Sequence, residues 1–155
     1  MSTPTILVID DSTTIRRMVD SHLSQEGYRV VLAPTGEIGL EMASEIQPDL
    51  ILLDWKMPGM NGIEFLLEMK KVHPFATRIL LTGYADKENA IKAINDVGLY
   101  QYVEKPWNND DLKLTIENGL ERRFLMGKLE DKIQEVQNVQ QNLQEIQAQI
   151  IKAFM

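Results

Sequence analysis

The chain has 155 residues, 44% hydrophobic and 25% charged, which suits one compact domain with a remainder. It contains no cysteine, so disulfides and thiolate metal sites are excluded. The formal net charge of -7 argues against a nucleic-acid binder, whose affinity comes largely from neutralising phosphates, and the basic pair Arg122-Arg123 is too small to offset it.

Met1 to Thr5 lacks a secretory signature, and no apolar run approaches the roughly 20 residues of a membrane span. A soluble, cytoplasmic protein without membrane or nucleic-acid partners is the expectation. The first element is a buried strand, Thr5–Ile9 (TILVI). Ser12 then caps a helix to Gln25, whose apolar residues Ile15, Met18, Val19 and Leu23 follow helical spacing, and Gly27 ends it. Arg29–Ala33 is the second strand. Thr35 caps a helix carrying Ile38, Leu40, Met42, Ala43 and Ile46, closed by Gln47-Pro48. Asp49–Leu53 (DLILL) is the third strand, Met57–Gly62 a turn-rich loop, and Ile63–Val72 a helix. Arg78–Leu81 is the fourth strand, Asp86 caps a helix through Val97 that Gly98 stops, Tyr100–Val103 is the fifth strand, and Asn109 starts the last helix. Five strands alternating with five helices predict an α/β fold: a parallel sheet covered on both faces.

In such a sheet, functional groups gather at the carboxyl ends of the strands. There the sequence places Asp10 and Asp11 after the first strand, Asp54 after the third, Thr82 after the fourth and Lys105 after the fifth. Each of these alone has an ordinary explanation: an Asp pair before a helix is often a cap, and Lys-Pro is often a turn. Their recurrence at four strand ends is what points to chemistry. Three carboxylates repel one another unless a cation sits among them, and hard oxygen donors suit Mg²⁺. A carboxylate is also a nucleophile able to form an acyl phosphate. The metal and a lysine neutralise charge on a transferred phosphoryl group, and the Thr82 hydroxyl is placed to hydrogen-bond one of its oxygens.

The segments VIDDS (Val8–Ser12), LDWKMPGMNG (Leu53–Gly62), LTGY (Leu81–Tyr84) and YVEKP (Tyr102–Pro106) together resemble the receiver domain of two-component response regulators, of the chemotaxis type, from about Thr5 to Leu120. The resemblance implies a flavodoxin-like, doubly wound (βα)5 sheet. It implies that Asp54 accepts phosphate from a histidine kinase, and that Asp10, Asp11, Asp54 and the backbone carbonyl of Lys56 bind Mg²⁺, Asp10 mainly through water. It further implies that Lys105 contacts the phosphoryl group with its bond to Pro106 cis, and that Thr82 and Tyr102 form the switch pair. That pair would bias the face of the fourth helix, fifth strand and fifth helix. Lys56 and Tyr84 occupy positions that tune dephosphorylation in this family, which suggests a long phosphoryl lifetime. Trp55 and Trp107 are aromatic neighbours of the site, and His22 and His73 are expected at the surface.

The expected division is a receiver domain at 1–120 and a helical extension at 121–155. Beyond Leu120 the helical pattern continues with no further proline. A heptad places Leu129, Val136, Leu143 and Ile150 at a, and Leu125, Val139, Ile146 and Ala153 at d. Arg122 and Lys132 are the breaks, and Ile133 takes an e position. The expectation is a parallel homodimer through a coiled coil, the alternative being that the helix packs back on its own receiver. The flanking positions offer few opposite-charge pairs. The apolar ending Ile151–Met155 suggests a signalling helix that leads to an output domain or protein; relatives of this layout carry diguanylate cyclases, phosphodiesterases or phosphatases. Two other functions stand beside the switch. A dimerisation or scaffold module with an unused site is disfavoured by the intact acidic set. A small-molecule phosphohydrolase is disfavoured because Lys56, not a second aspartate, lies two residues after Asp54. No conventional enzyme activity is expected beyond self-phosphorylation and autodephosphorylation.

Overall fold

The computed structural model describes residues 3–54, 62–83, 88, 91–92, 95 and 99–155. Among them lie nine elements in the order β1 (Thr5–Ile9), α1 (Thr13–Gln25), β2 (Arg29–Ala33), α2 (Gly36–Ile46), β3 (Leu50–Asp54), α3 (Gly62–Val72), β4 (Thr77–Thr82), β5 (Gln101–Glu104) and α4 (Asn109–Ala153). The expected helix from Asp86 to Val97 falls largely outside the described residues, as do Trp55, Lys56, Tyr84 and most of the turn-rich loop.

The strands form one parallel sheet in the order β2-β1-β3-β4-β5. This is a flavodoxin-like, doubly wound arrangement. β1, β3 and β4 are buried along their whole length, because helices cover both faces and leave alternate side chains no solvent side. One face packs Leu7, Ile9, Ile51, Leu53 and Leu80 against Ala43 of α2 and Phe65, Leu66 and Met69 of α3. The other packs Ile6, Val8, Leu50, Leu52, Ile79 and Leu81 against α1 and against Leu112, Ile116 and Leu120 of α4.

Local chemistry sets the element ends. Ser12 Oγ accepts from Ile15 N at 3.3 Å and Thr35 Oγ1 from Ile38 N at 3.2 Å, each satisfying a free donor of a helix start. Gly27 leaves α1 at φ +87°, a conformation that L side chains resist. Gln47 closes α2 at φ 49°, and Pro48 prevents continuation. Three strand limits move from those expected: β3 and β5 shift one residue later, and β4 gains one at each end. The sheet ladder decides this, since Asp54 pairs with Leu81 and Thr82 with Glu104 across strand neighbours.

α4 approaches the sheet closely at Gly119. A Cβ there would lie 2.9 Å from Leu50 Cδ1 and 3.1 Å from Thr77 Cγ2, and the Thr77 hydroxyl donates to the Gly119 carbonyl at 2.7 Å. The chain divides into two compact units, Met1–Arg123 and Phe124–Met155. Arg122, expected at a seam position, belongs to the first, with its guanidinium 5.2 Å above the Tyr100 ring. Within the second, Leu125, Leu129, Ile133 and Val136 are 50–57% exposed, and Val139, Leu143, Ile146 and Ile150 are 51–57% exposed. No helix among the described residues is long and apolar enough to cross a membrane.

Candidate functional site

The carboxyl ends of β1, β3, β4 and β5 bring the polar residues together. Asp10 follows β1 and is fully buried; its backbone N–H extends the ladder to the Ala33 carbonyl at 3.2 Å. One carboxylate oxygen, Oδ1, accepts from Ser12 N at 2.8 Å. Asp54 is the last residue of β3 and 8% exposed, while Asp11 is exposed. Each of these three residues offers a carboxylate oxygen within 4.8 Å of the other two.

Lys105 follows β5. Its backbone N–H donates to the Thr82 carbonyl at 2.7 Å, which fixes the side chain's root, and its peptide bond to Pro106 is cis. The ammonium reaches Asp10 Oδ2 at 3.0 Å and Asp54 Oδ1 at 3.2 Å. Thr82 is fully buried, its hydroxyl donating to the Gly83 carbonyl at 2.7 Å. Tyr102 is half-buried against the Leu7–Leu80 face and pairs with Leu80, two residues before Thr82 on the same side of the sheet.

Burial pushes the Asp54 carboxyl up to about 6 from its ordinary 3.8. The Asp10 charge and, less strongly, that of Asp11 add to the push, against the pull of Lys105. Burial disfavours the Lys105 ammonium, but its hydrogen bonds and charge attraction to Asp10 and Asp54 together outweigh that and raise its pKa. The site therefore holds more negative charge than one ammonium can settle. Three clustered hard oxygen donors that share an unsettled charge fit a small divalent cation.

Of the residues expected from the sequence, Asp10, Asp11, Asp54 and Lys105 converge, with Thr82 at the end of β4 and Tyr102 within the neighbouring β5. Lys56 and Tyr84 lie outside the described residues. Trp107 packs half-buried against the α1–α4 side of the sheet. The two histidines are half-buried rather than at the surface: His73 Nε2 lies 2.8 Å from the Ala43 carbonyl, and His22 Nε2 is shielded from water. Sequence reasoning missed Arg16. Its Nη1 donates to the Asp10 carbonyl at 2.6 Å and its Nη2 to Thr13 Oγ1 at 3.2 Å, bracing the loop that carries two of the carboxylates. The signal was its place one turn into the helix after the acidic pair.

A doubly wound parallel sheet whose carboxyl edge gathers three carboxylates bridged by a lysine defines an α/β protein with a site able to hold a cation. Comparison with known proteins gives the family. Residues 6–117 match the response regulator receiver domain. Over 125 residues the chain is 34% identical to the hydrogenase transcriptional regulatory protein HoxA of Cupriavidus necator, covering 81% of this chain and 26% of that one. Over 115 residues it is 32% identical to sporulation initiation phosphotransferase F of Bacillus subtilis, covering 74% and 92%. A receiver domain crystal structure from Clostridium thermocellum superposes with a TM-score of 0.75 at 35% identity, covering 79% of this chain and 98% of that one. The chain belongs to the response regulator receiver domain family. Its function is that of a phosphoacceptor in two-component signalling. It spans about a quarter of the length of HoxA and nearly all of the sporulation protein. Receiver domains are phosphorylated by histidine kinases, and homologues carry output domains.

Proposed function

We propose that Asp54 is the phosphoacceptor of a cytoplasmic switch fed by a histidine kinase, and that the C-terminal helix carries its signal by self-association. The observation that carries the first part is the Asp54–Lys105–Asp10 contact set at 3.0–3.2 Å beside Asp11. In the reaction an Asp54 carboxylate oxygen attacks the phosphorus of a phosphohistidine. The P–N bond breaks, the imidazole leaves, and an acyl phosphate remains. Lys105 is within reach of an oxygen of the incoming group while remaining anchored through its backbone to Thr82.

Mg²⁺ is the cation that best suits the donor set. Asp11, Asp54 and the Lys56 carbonyl are its proposed ligands, with Asp10 acting through water; when bound it supplies charge neutralisation for the phosphoryl oxygens. Thr82 and Tyr102 are proposed as the switch pair. The Thr82 hydroxyl leaves the Gly83 carbonyl for a phosphoryl oxygen, and the Tyr102 ring turns into the space it vacates. Lys56 and Tyr84 are proposed to slow hydrolysis.

The second part rests on the eight half-exposed apolar side chains from Leu125 to Ile150. The extension from 121 to 155 is proposed to act as a parallel coiled coil, the homodimer being its smallest form. Fully burying one such side chain contributes about 1.5–3 kcal/mol, and roughly half of that remains to be gained here. Summed over two helices this offsets the about 4–15 kcal/mol of freedom lost on association. An output domain or protein then receives the change in the helix.

Incubation with acetyl phosphate and Mg²⁺, followed by intact mass, tests the first part. The expected result is one added phosphoryl group that is absent in Asp54→Ala. No gain, or equal gain in the variant, sinks it. Molar mass in solution tests the second part, a monomer being the result against it.

A further inference from the structure

The side chains of the seam specify how many helices share it, an inference that rests on the proposed parallel self-association. α4 is continuous to Ala153, so the heptad register carries through to that residue, interrupted only in its apolar character at Lys132. From Val136 onward the a positions are Val136, Leu143 and Ile150, and the d positions are Val139 and Ile146 before Ala153. In a two-stranded parallel coil the d side chain points straight at its counterpart. Leucine suits that direction and a branched Cβ crowds it. Branched residues at d, above all leucine at a with isoleucine at d, favour higher assemblies. Leu143 with Ile146 is that combination, and Val136 with Val139 is branched at both places. A leucine stands at d only at Leu125, upstream of the interruption at Lys132.

The flanking positions give a second, independent observation. With more strands the interface widens and covers more of both columns, e and g, where an amide costs less to cover than a charge. Between Val136 and Ile150 these columns hold Gln140, Asn142, Gln147 and Gln149, none of them charged. Nothing there repels another copy of the same chain. Charge returns upstream, where Lys132 pairs with Glu135 of its own helix at 3.1 Å, both widely exposed.

We propose that the segment from Val136 to Ala153 assembles as a parallel four-stranded coil of identical chains. Branched d residues disfavour two copies, leucine at a with isoleucine at d favours four, and the uncharged flanks tolerate the wider interface.

Light scattering on the full chain tests the number. The expected molar mass is four times that of the chain. Val139→Leu with Ile146→Leu keeps the apolar character and restores the dimer pattern, so it is expected to halve the molar mass at unchanged helicity by circular dichroism. A natural chain of two or three copies, or the leucine variant holding four, overturns the proposal while self-association stands. A monomeric natural chain overturns both. Phosphoryl gain at Asp54, read by intact mass on the same samples, is independent of either.

Discussion

Residues 3–123 and 124–155 satisfy their apolar side chains in opposite ways. In the first unit, Phe65, Leu53 and Ile79 are wholly excluded from water by elements of the same chain. In the second, Leu143 and Ile146 remain more than half exposed on a helix that is as regular as any in the first unit. Secondary structure is therefore no guide to where folding is complete. A helix this long forms readily, yet its stripe is settled only by a further surface.

Phe65 should respond most strongly. Phe65→Ala removes a fully buried ring and lowers receiver stability by about 3–5 kcal/mol in urea unfolding. Leu143→Ala is expected to leave that transition unchanged and to lower only the molar mass of the assembly. A large loss of receiver stability in Leu143→Ala would erase the distinction.

Next comes the acidic cluster, where the first unit gathers more negative charge than Lys105 offsets. Because folding raises the Asp54 pKa to about 6 from 3.8, the folded state holds its proton more tightly than the unfolded chain. Protonated Asp54 is thus compatible with the fold, and stability falls as pH rises from about 4 to 6. The loss is on the order of 2 kcal/mol relative to Asp54→Asn, which has no such proton to release. Chemical unfolding of both proteins across that range, without divalent metal, should show the two curves diverging. Adding Mg²⁺ at pH 7 should narrow the gap.

Gly119→Ala is expected to cost about 1–3 kcal/mol, since its methyl would crowd Leu50 and Thr77 at the close approach of α4. Smallest is Ser12→Ala, at about 1 kcal/mol, through the lost acceptor for Ile15 N. Neither change should alter the molar mass of the assembly.

The buried strands were legible because runs such as TILVI and LILL have no polar alternate positions and must be covered on both sides. The caps Ser12 and Thr35 were legible because their bonding is local. Asp10, Asp54, Thr82 and Lys105 were placed by their position relative to those strands, without contact information. What escaped was bonding to distant or unlabelled partners. Arg16 grips a backbone carbonyl, and any residue can present one. His73 reaches the Ala43 carbonyl across thirty positions of sequence, so its apparent surface character was misleading. Arg122 fits a heptad on paper, but an aromatic ring on the neighbouring loop holds it. The one-residue shifts of β3 and β5 likewise depend on which neighbours the ladder offers.

The close approach at Gly119 has a mechanical consequence. Asp54 and Lys105 sit at one tip of the strands, whereas Gly119 meets Leu50 and Thr77 at the other, about 17 Å away along β4. The helix is therefore pinned where the strands begin, like a lever on its fulcrum, with its first turns on the reactive side. Within Met1–Arg123, any shift of those first turns is thus taken up against Leu50 and Thr77.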